Sequence, residues 1–255
     1  MLKNRLIAVI LIKDGNVIQS VKFKHTNAIH YDAIHAIESF NAWAIDEIVI
    51  LNVSKKDSSK KDFIGIVKRI SSKCFVPLSV GGWINSIDDA TQLIKNGADK
   101  IILNTQAFLN HNLISQISKK YGNQCVIISI DTKNIDGNDY VYIDRGTKNT
   151  NIEAITWAKK AIEYGAGEIL INSIDYDGNR KGYNLKLISK LSRNINTPII
   201  VLGGVFKWLH LQEGIEAGAN AVAAANIFHY TEHSTRKAKK FLLNKGMNFR
   251  KLEKI

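Results

Sequence analysis

Apolar residues along the chain fall into short unbroken runs, separated by longer stretches whose apolar positions recur at helical spacing. The runs at residues 6–12, 47–53, 76–80, 100–103, 125–130, 168–172, 199–202 and 221–225 have the length and continuous apolar character of strands buried on both faces. Between them, residues 86–96, 151–164, 185–193 and 208–217 read as amphipathic helices. Alternation of strand and helix predicts parallel βαβ units.

The pattern repeats. Val76-Pro77-Leu78-Ser79-Val80-Gly81-Gly82 is echoed by Thr197-Pro198-Ile199-Ile200-Val201-Leu202-Gly203-Gly204, around the only two prolines of the chain. Each copy continues to Gly97-Ala98-Asp99 or Gly218-Ala219-Asn220, and then through an apolar run to Asn104 or Asn226. From Gly82 to Asn104 and from Gly204 to Asn226 is 22 residues in both copies, while Glu47 and Glu168 lie 121 apart. A period near half the chain is too long for a solenoid unit of about 20–50 residues. Eight strands in two similar halves predict an α/β fold, a (βα)8 TIM barrel with an internal two-fold half-barrel repeat. The alternative is a doubly wound open sheet, against which no GxGxxG opens the first helix. With no linker in evidence, residues 1–255 read as a single barrel domain.

Composition narrows the function classes. No apolar run approaches the roughly 20 residues of a membrane span, so no membrane role is expected. Cys74 and Cys125 are the only cysteines, too few for a disulfide scaffold, and a reducing cytoplasm is the simple expectation. The net charge of +12 suggests an anionic partner and by itself does not choose between a nucleic acid, a phosphorylated small molecule or none. No nucleic-acid motif accompanies that charge. The seven histidines show no metal-ligand spacing, and neither a P-loop nor a dinucleotide fingerprint appears, so no metal and no cofactor are expected.

In a barrel of this class the chemistry belongs just after the strands. Gly81-Gly82 and Gly203-Gly204 let backbone N–H groups approach an anion, and Asn104-Thr105 and Asn226 add side-chain donors. The two copies predict two facing phosphate cradles. Asp131, ending an apolar run, is the candidate general acid or base. Of Asp175 and Asp177, the latter in an Asp177-Gly178 turn, one is expected to face a ligand and the other to be structural.

These residues carry a family resemblance. The start from Met1 to Ala8, Lys13-Asp14-Gly15, Asp46-Glu47, Val80-Gly81-Gly82, Gly97-Ala98-Asp99-Lys100, Asn104-Thr105, Ile130-Asp131, Gly165-Ala166-Gly167-Glu168-Ile169-Leu170, Ser173-Ile174-Asp175, Asp177-Gly178 and Gly203-Gly204 resemble the cyclase subunit family of imidazole glycerol phosphate synthase. The match runs nearly end to end. It implies a two-fold repeated barrel and a glutaminase subunit as partner. In that family, ammonia from the partner passes through the barrel core and attacks a bis-phosphorylated ribulosyl substrate at the top. Two aspartates, ending the first and fifth strands, supply acid–base catalysis.

Asp131 matches the second of these aspartates, but Leu11 stands where the first belongs. Leucine transfers no proton, and one acid–base group is worth about 10²–10⁴ in rate. Gln19 replaces a family lysine, Trp83 a third glycine, Asn52 an aspartate and Asn226 a serine. By contrast, Arg5, Glu47, Lys100 and Glu168 match a salt-bridged ring that closes the family's ammonia entrance, and Asp99 matches a residue at the glutaminase interface. The resemblance extends to a subgroup of paralogues through Val21-Lys22-Phe23-Lys24 and Ile37-Glu38-Ser39-Phe40-Asn41. Those paralogues pair with a second glutaminase and an N-acetyl-sugar amidotransferase, and are implicated in acetamidino modification of surface sugars of lipopolysaccharide or flagella. The expectation is a subunit specialised for ammonia delivery. The alternative is a working histidine-biosynthesis cyclase that yields imidazole glycerol phosphate and an aminoimidazole carboxamide ribotide.

Overall fold

The structure, a computed structural model, describes residues 2–55, 59–229 and 233–252. Its strands are β1 (Arg5–Lys13), β2 (Asn16–Val21), β3 (His25–His30), β4 (Glu47–Asn52), β5 (Leu78–Gly81), β6 (Lys100–Leu103), β7 (Val126–Ile135), β8 (Asn138–Ile143), β9 (Lys148–Glu153), β10 (Glu168–Ser173), β11 (Ile199–Leu202) and β12 (Ala221–Ala224). β1, β4, β5, β6, β7, β10, β11 and β12 pair in parallel, each with the next, and β12 returns to β1. The sheet is a closed eight-stranded barrel, with helices in the crossovers between its strands. The open-sheet alternative is thereby excluded.

Closure buries both faces of every barrel strand, which is why the sequence runs are continuously apolar. Ile7, Val9, Val49, Ile102, Ile127, Leu170, Ile200, Ala221 and Ala223 pack along the axis. The alternate residues, among them Leu6, Ala8, Ile10, Ile48, Ile50, Ile128 and Ile169, pack outward against the helices.

Four strands fall outside the predicted runs. β2 and β3 form an antiparallel ribbon that continues from the top of β1, and β8 and β9 do the same from β7. Their polar sequences, such as His-Thr-Asn-Ala-Ile-His in β3, carry no apolar run because these ribbons lie above the barrel, partly in solvent. A local signal was nevertheless available. Asp14-Gly15 and Asp136-Gly137 both adopt left-handed φ values, 49° and 84°, and 50° and 88°, the demand of a tight hairpin turn. The same ribbon explains two boundary errors. β7 extends to Ile135 because it pairs with β8, and the helix expected from residue 151 starts at Ala154 because β9 occupies Lys148–Glu153.

At the N-terminal end of the barrel, strand starts are tied by carboxylates or amides from the following unit. The Leu6 N–H donates to Asp46 (2.9 Å), Leu78 to Asp99 (2.7 Å) and Ile199 to the Asn220 side chain (2.9 Å). Asp46 is also the anchor of the helix Ser234–Asn244. Lys239 on that helix is fully buried, donates to the Ala44 carbonyl (2.6 Å) and forms an ion pair with Asp46. Burial pulls the Lys239 ammonium below its ordinary pKa, and Asp46 offsets part of that.

Removing one partner of a buried pair strands the other charge. Lys239→Ala is expected to lower the unfolding free energy by about 3 kcal/mol, read from the denaturant midpoint at unchanged m-value.

Candidate functional site

Side-chain parity along the barrel strands builds two polar layers, one at each end of an apolar axis. On β1 the inward residues are Arg5, Ile7, Val9 and Leu11, and on β10 they are Glu168, Leu170 and Asn172.

The lower layer is a closed ring of ions. Arg5 donates to Glu47 (2.7 Å) and, through both guanidinium nitrogens, to Glu168. Lys100 donates to Glu47 (3.1 Å) and to Glu168 (2.7 Å). Ser79 Oγ adds a further donor to Glu47 (2.7 Å), which is 1% exposed. Burial alone would lower the pKa of Arg5, but the two carboxylates outweigh it and hold the guanidinium above its ordinary value. Burial likewise works to raise Glu168, yet Arg5 and then Lys100 hold it below the usual carboxylate range. All four predicted ring residues therefore meet. Asp99 lies beside Lys100 at the same end of the barrel, exposed, with its carboxylate on the Leu78 N–H.

The upper layer is centred on Asp131. Asn104 Nδ2 donates to Asp131 Oδ2 (2.8 Å) and Asn172 Nδ2 to Asp131 Oδ1 (3.4 Å). Burial pushes the Asp131 carboxyl up to about 7. It does so against both amides, which favour the ionised form, and the charge of Asp177 adds to the rise. A carboxyl that is half ionised near neutrality can both give and take a proton. Across the mouth stand Leu11 and its register neighbour Leu51, packed on the axial core. Asn172 belongs to no motif in the sequence, although its spacing of four from Glu168 on one strand gives it the same inward parity.

The cradle residues are brought to opposite sides of the mouth, Gly82, Asn104 and Thr105 beside β5 and β6, and Gly178, Gly204 and Asn226 beside β10 to β12. Gly82 has φ 111°, and a Cβ there would meet the Asn52 carbonyl at 2.4 Å. Gly204 has φ 87°, and a Cβ there would meet the Gly182 carbonyl at 2.1 Å. The glycines thus meet backbone of their own chain. Thr105 Oγ1 accepts from the Asp144 N–H (2.9 Å), tying it to the second ribbon. Asn226 Nδ2 donates to the Ser20 carbonyl (3.3 Å). Asp177 accepts from Ser20 Oγ (3.0 Å) and the Phe23 N–H (3.3 Å), and a Cβ at Gly178 would press on Val21 at 2.9 Å. Asp177, Gly178 and Asn226 therefore hold the first ribbon. Asp175 accepts from the Asn134 N–H (2.9 Å) on the second, so both aspartates bond to ribbon segments. Burial raises the Asp177 carboxyl, opposed by its three hydrogen bonds to the ribbon. Trp83, at φ 57°, turns its ring nitrogen to the Ser54 carbonyl (2.9 Å).

Among the described residues no cluster of three or more His, Cys, Asp or Glu is placed to hold a metal, and no helix is long and apolar enough to cross a membrane.

Comparison with known proteins matches residues 5–234 to the family described as histidine biosynthesis protein. The imidazole glycerol phosphate synthase subunit HisF of Exiguobacterium sibiricum is 38% identical over 250 residues, covering 98% of this chain and 100% of that one. The subunits of the same name from Chloroherpeton thalassium and Bacillus licheniformis are 37% and 36% identical, again over 98% of this chain and all of theirs.

The raised Asp131 carboxyl sets a pH dependence of stability. Between its unfolded pKa, about 4, and its folded one the native state binds the extra proton, so stability falls as pH rises through that window. Asp131→Asn removes this slope. The variant is expected to exceed the parent by about 2–4 kcal/mol at pH 8 and to match it near pH 4, read from denaturant midpoints across the range.

Proposed function

The chain belongs to the histidine biosynthesis protein family, and on that premise we propose that it is the barrel subunit of a glutamine-dependent, imidazole glycerol phosphate synthase-type complex. Ammonia released by a glutaminase subunit enters at the ring of Arg5, Glu47, Lys100 and Glu168 and moves along the axial core to the mouth. The ring carries this reading. A barrel end that only needed filling would be at least as stable with apolar side chains as with four ions. Above it the axis is lined by Ile7, Val9, Val49 and Leu170, through which a neutral molecule passes at far lower cost than a charged one. Asp99, exposed at the same end, is the candidate contact for the glutaminase.

The finer reading turns on Leu11. A mouth with Asp131 facing leucine has one proton-transfer group where the resembled cyclases use two. We take this to mark a subunit kept for ammonia delivery, with an N-acetyl-sugar amidotransferase as consumer, in acetamidino-sugar biosynthesis. The Val21–Lys24 and Ile37–Asn41 segments add to it. Any phosphorylated ligand would meet Gly82, Asn104, Thr105, Asp177, Gly178, Gly204 and Asn226 around the mouth. The alternative is a working cyclase that converts the ribulosyl-aminoimidazole substrate and ammonia to imidazole glycerol phosphate and the carboxamide ribotide. In its favour are Asp131 poised near neutrality and the end-to-end similarity to HisF subunits.

Two measurements separate these readings. Supplied with ammonia and the ribulosyl substrate, the purified chain is expected to turn over at least about 10²-fold more slowly than Leu11→Asp. Turnover that Leu11→Asp does not improve supports the cyclase. In the complex with its glutaminase, Lys100→Met is expected to uncouple glutamine hydrolysis from product formation, and unchanged coupling refutes the gate.

A further inference from the structure

At one level of the mouth the two halves of the barrel differ. Leu11 and Leu51 are register partners on β1 and β4, and at the equivalent place in the second half Asp131 and Asn172 are register partners on β7 and β10. The offsets, 120 and 121 residues, are those of the internal repeat, so the same two positions carry two leucines in one half and two polar groups in the other.

Asn172 is 8% exposed, and its two polar atoms have different fates. Nδ2 donates to Asp131. Oδ1 is buried with no hydrogen-bond partner among the described residues. It lies over Gly203, where a Cβ would approach it to 3.0 Å. A buried acceptor left unpaired costs about 1–3 kcal/mol, so its retention calls for a donor that arrives from outside the fold. In its ionised form Asp131 cannot meet it, because a carboxylate only accepts and its oxygens already face Asn104 and Asn172 Nδ2. Leu202, the register partner of Asn172 on β11, offers no polar side-chain atom.

Its position selects the donor. Glu168, Leu170 and Asn172 follow one another on the inward face of β10, so Oδ1 stands four residues, about 13 Å, above the ring of ions with only apolar side chains along the strand between them. We infer that Asn172 Oδ1 is a binding site for ammonia, accepting one of its N–H bonds where the axial core opens at the mouth, while Asn172 Nδ2 keeps Asp131 turned toward the same molecule. The inference deepens the ammonia-receiving reading above and rests on it for the identity of the donor. A small neutral N–H compound fits because the apolar side chains along the axis offer nothing to a cation on its way to the mouth.

The test needs neither substrate nor glutaminase. The full chain is titrated with ammonium chloride at alkaline pH, with potassium chloride as the ionic control, and the Asp131 carboxyl carbon and the Asn172 side-chain amide are followed by NMR. A saturable shift specific to ammonium chloride is expected in the parent. Asn172→Val should abolish the response at Asp131, and Asn172→Thr, nearly the same shape but with an acceptor oxygen, should restore it. Equal thermal midpoints for the two variants show that the difference is chemical. A parent response that potassium chloride reproduces, that never saturates, or that survives in Asn172→Val overturns the site. Where ammonia-driven turnover is measurable, Asn172→Val should raise the KM for ammonia about tenfold and leave that for the phosphorylated substrate unchanged. A saturable ammonia response in a chain that never couples to a glutaminase would refute the complex and keep the site, whereas coupling with a flat titration would do the reverse.

Discussion

Closing a parallel sheet on itself forces each strand to choose, residue by residue, between an axis and a helical shell. That choice has a period of two and allows no compromise, since a slip of one residue would exchange the two faces. The two polar layers at the ends of the axis are read off that parity. Arg5 and Leu11 face the axis because Ile7 and Val9 do, and Glu168 and Asn172 share a line with Leu170. The lower ring and the upper mouth are thus ends of the same few inward columns, held in mutual register by the parallel ladders of β1, β4, β7 and β10.

The two ends treat charge in opposite ways. Below, two cations and two anions satisfy one another so fully that Arg5 and Glu168 are each pushed further into their charged forms despite burial. Above, Asp131 has amides but, among the described residues, no cation beside it, and burial brings its carboxyl to about 7. A ring that stays ionised and a carboxyl that titrates are different devices made from the same residue types, and the difference lies in what faces them. The ring sums to zero, so none of it appears in the net charge of +12.

The internal repeat gives the mouth its asymmetry. Both halves build a strand followed by a polar ribbon, and both ribbons bend over the barrel top on Asp-Gly turns. The ribbons then dock differently. The first is clamped by Asp177, Gly178 and Asn226, and the second holds Asp175 and Thr105. Polar residues that a strand-end reading assigns to a ligand are here bonded to the chain itself, which couples any ligand at those positions to the seating of the ribbons.

Fold class was legible in the order of the residues because buried parallel strands demand continuous apolar runs, and because a duplicated half leaves matching punctuation at Pro77 and Pro198. The ring was legible too, since Arg5, Glu47, Lys100 and Glu168 each open a barrel strand. The ribbons were not, as half-solvated antiparallel strands need no apolar run and were marked only by Asp14-Gly15 and Asp136-Gly137. Nor could linear order show that Asn104 and Asn172 converge on one carboxyl, or that Asn172 keeps a free oxygen. Hydrogen-bond pairing between residues 27 and 41 positions apart depends on strand register and side-chain direction in three dimensions. The sequence determined which residues line the axis; only the closed barrel decided which of them touch.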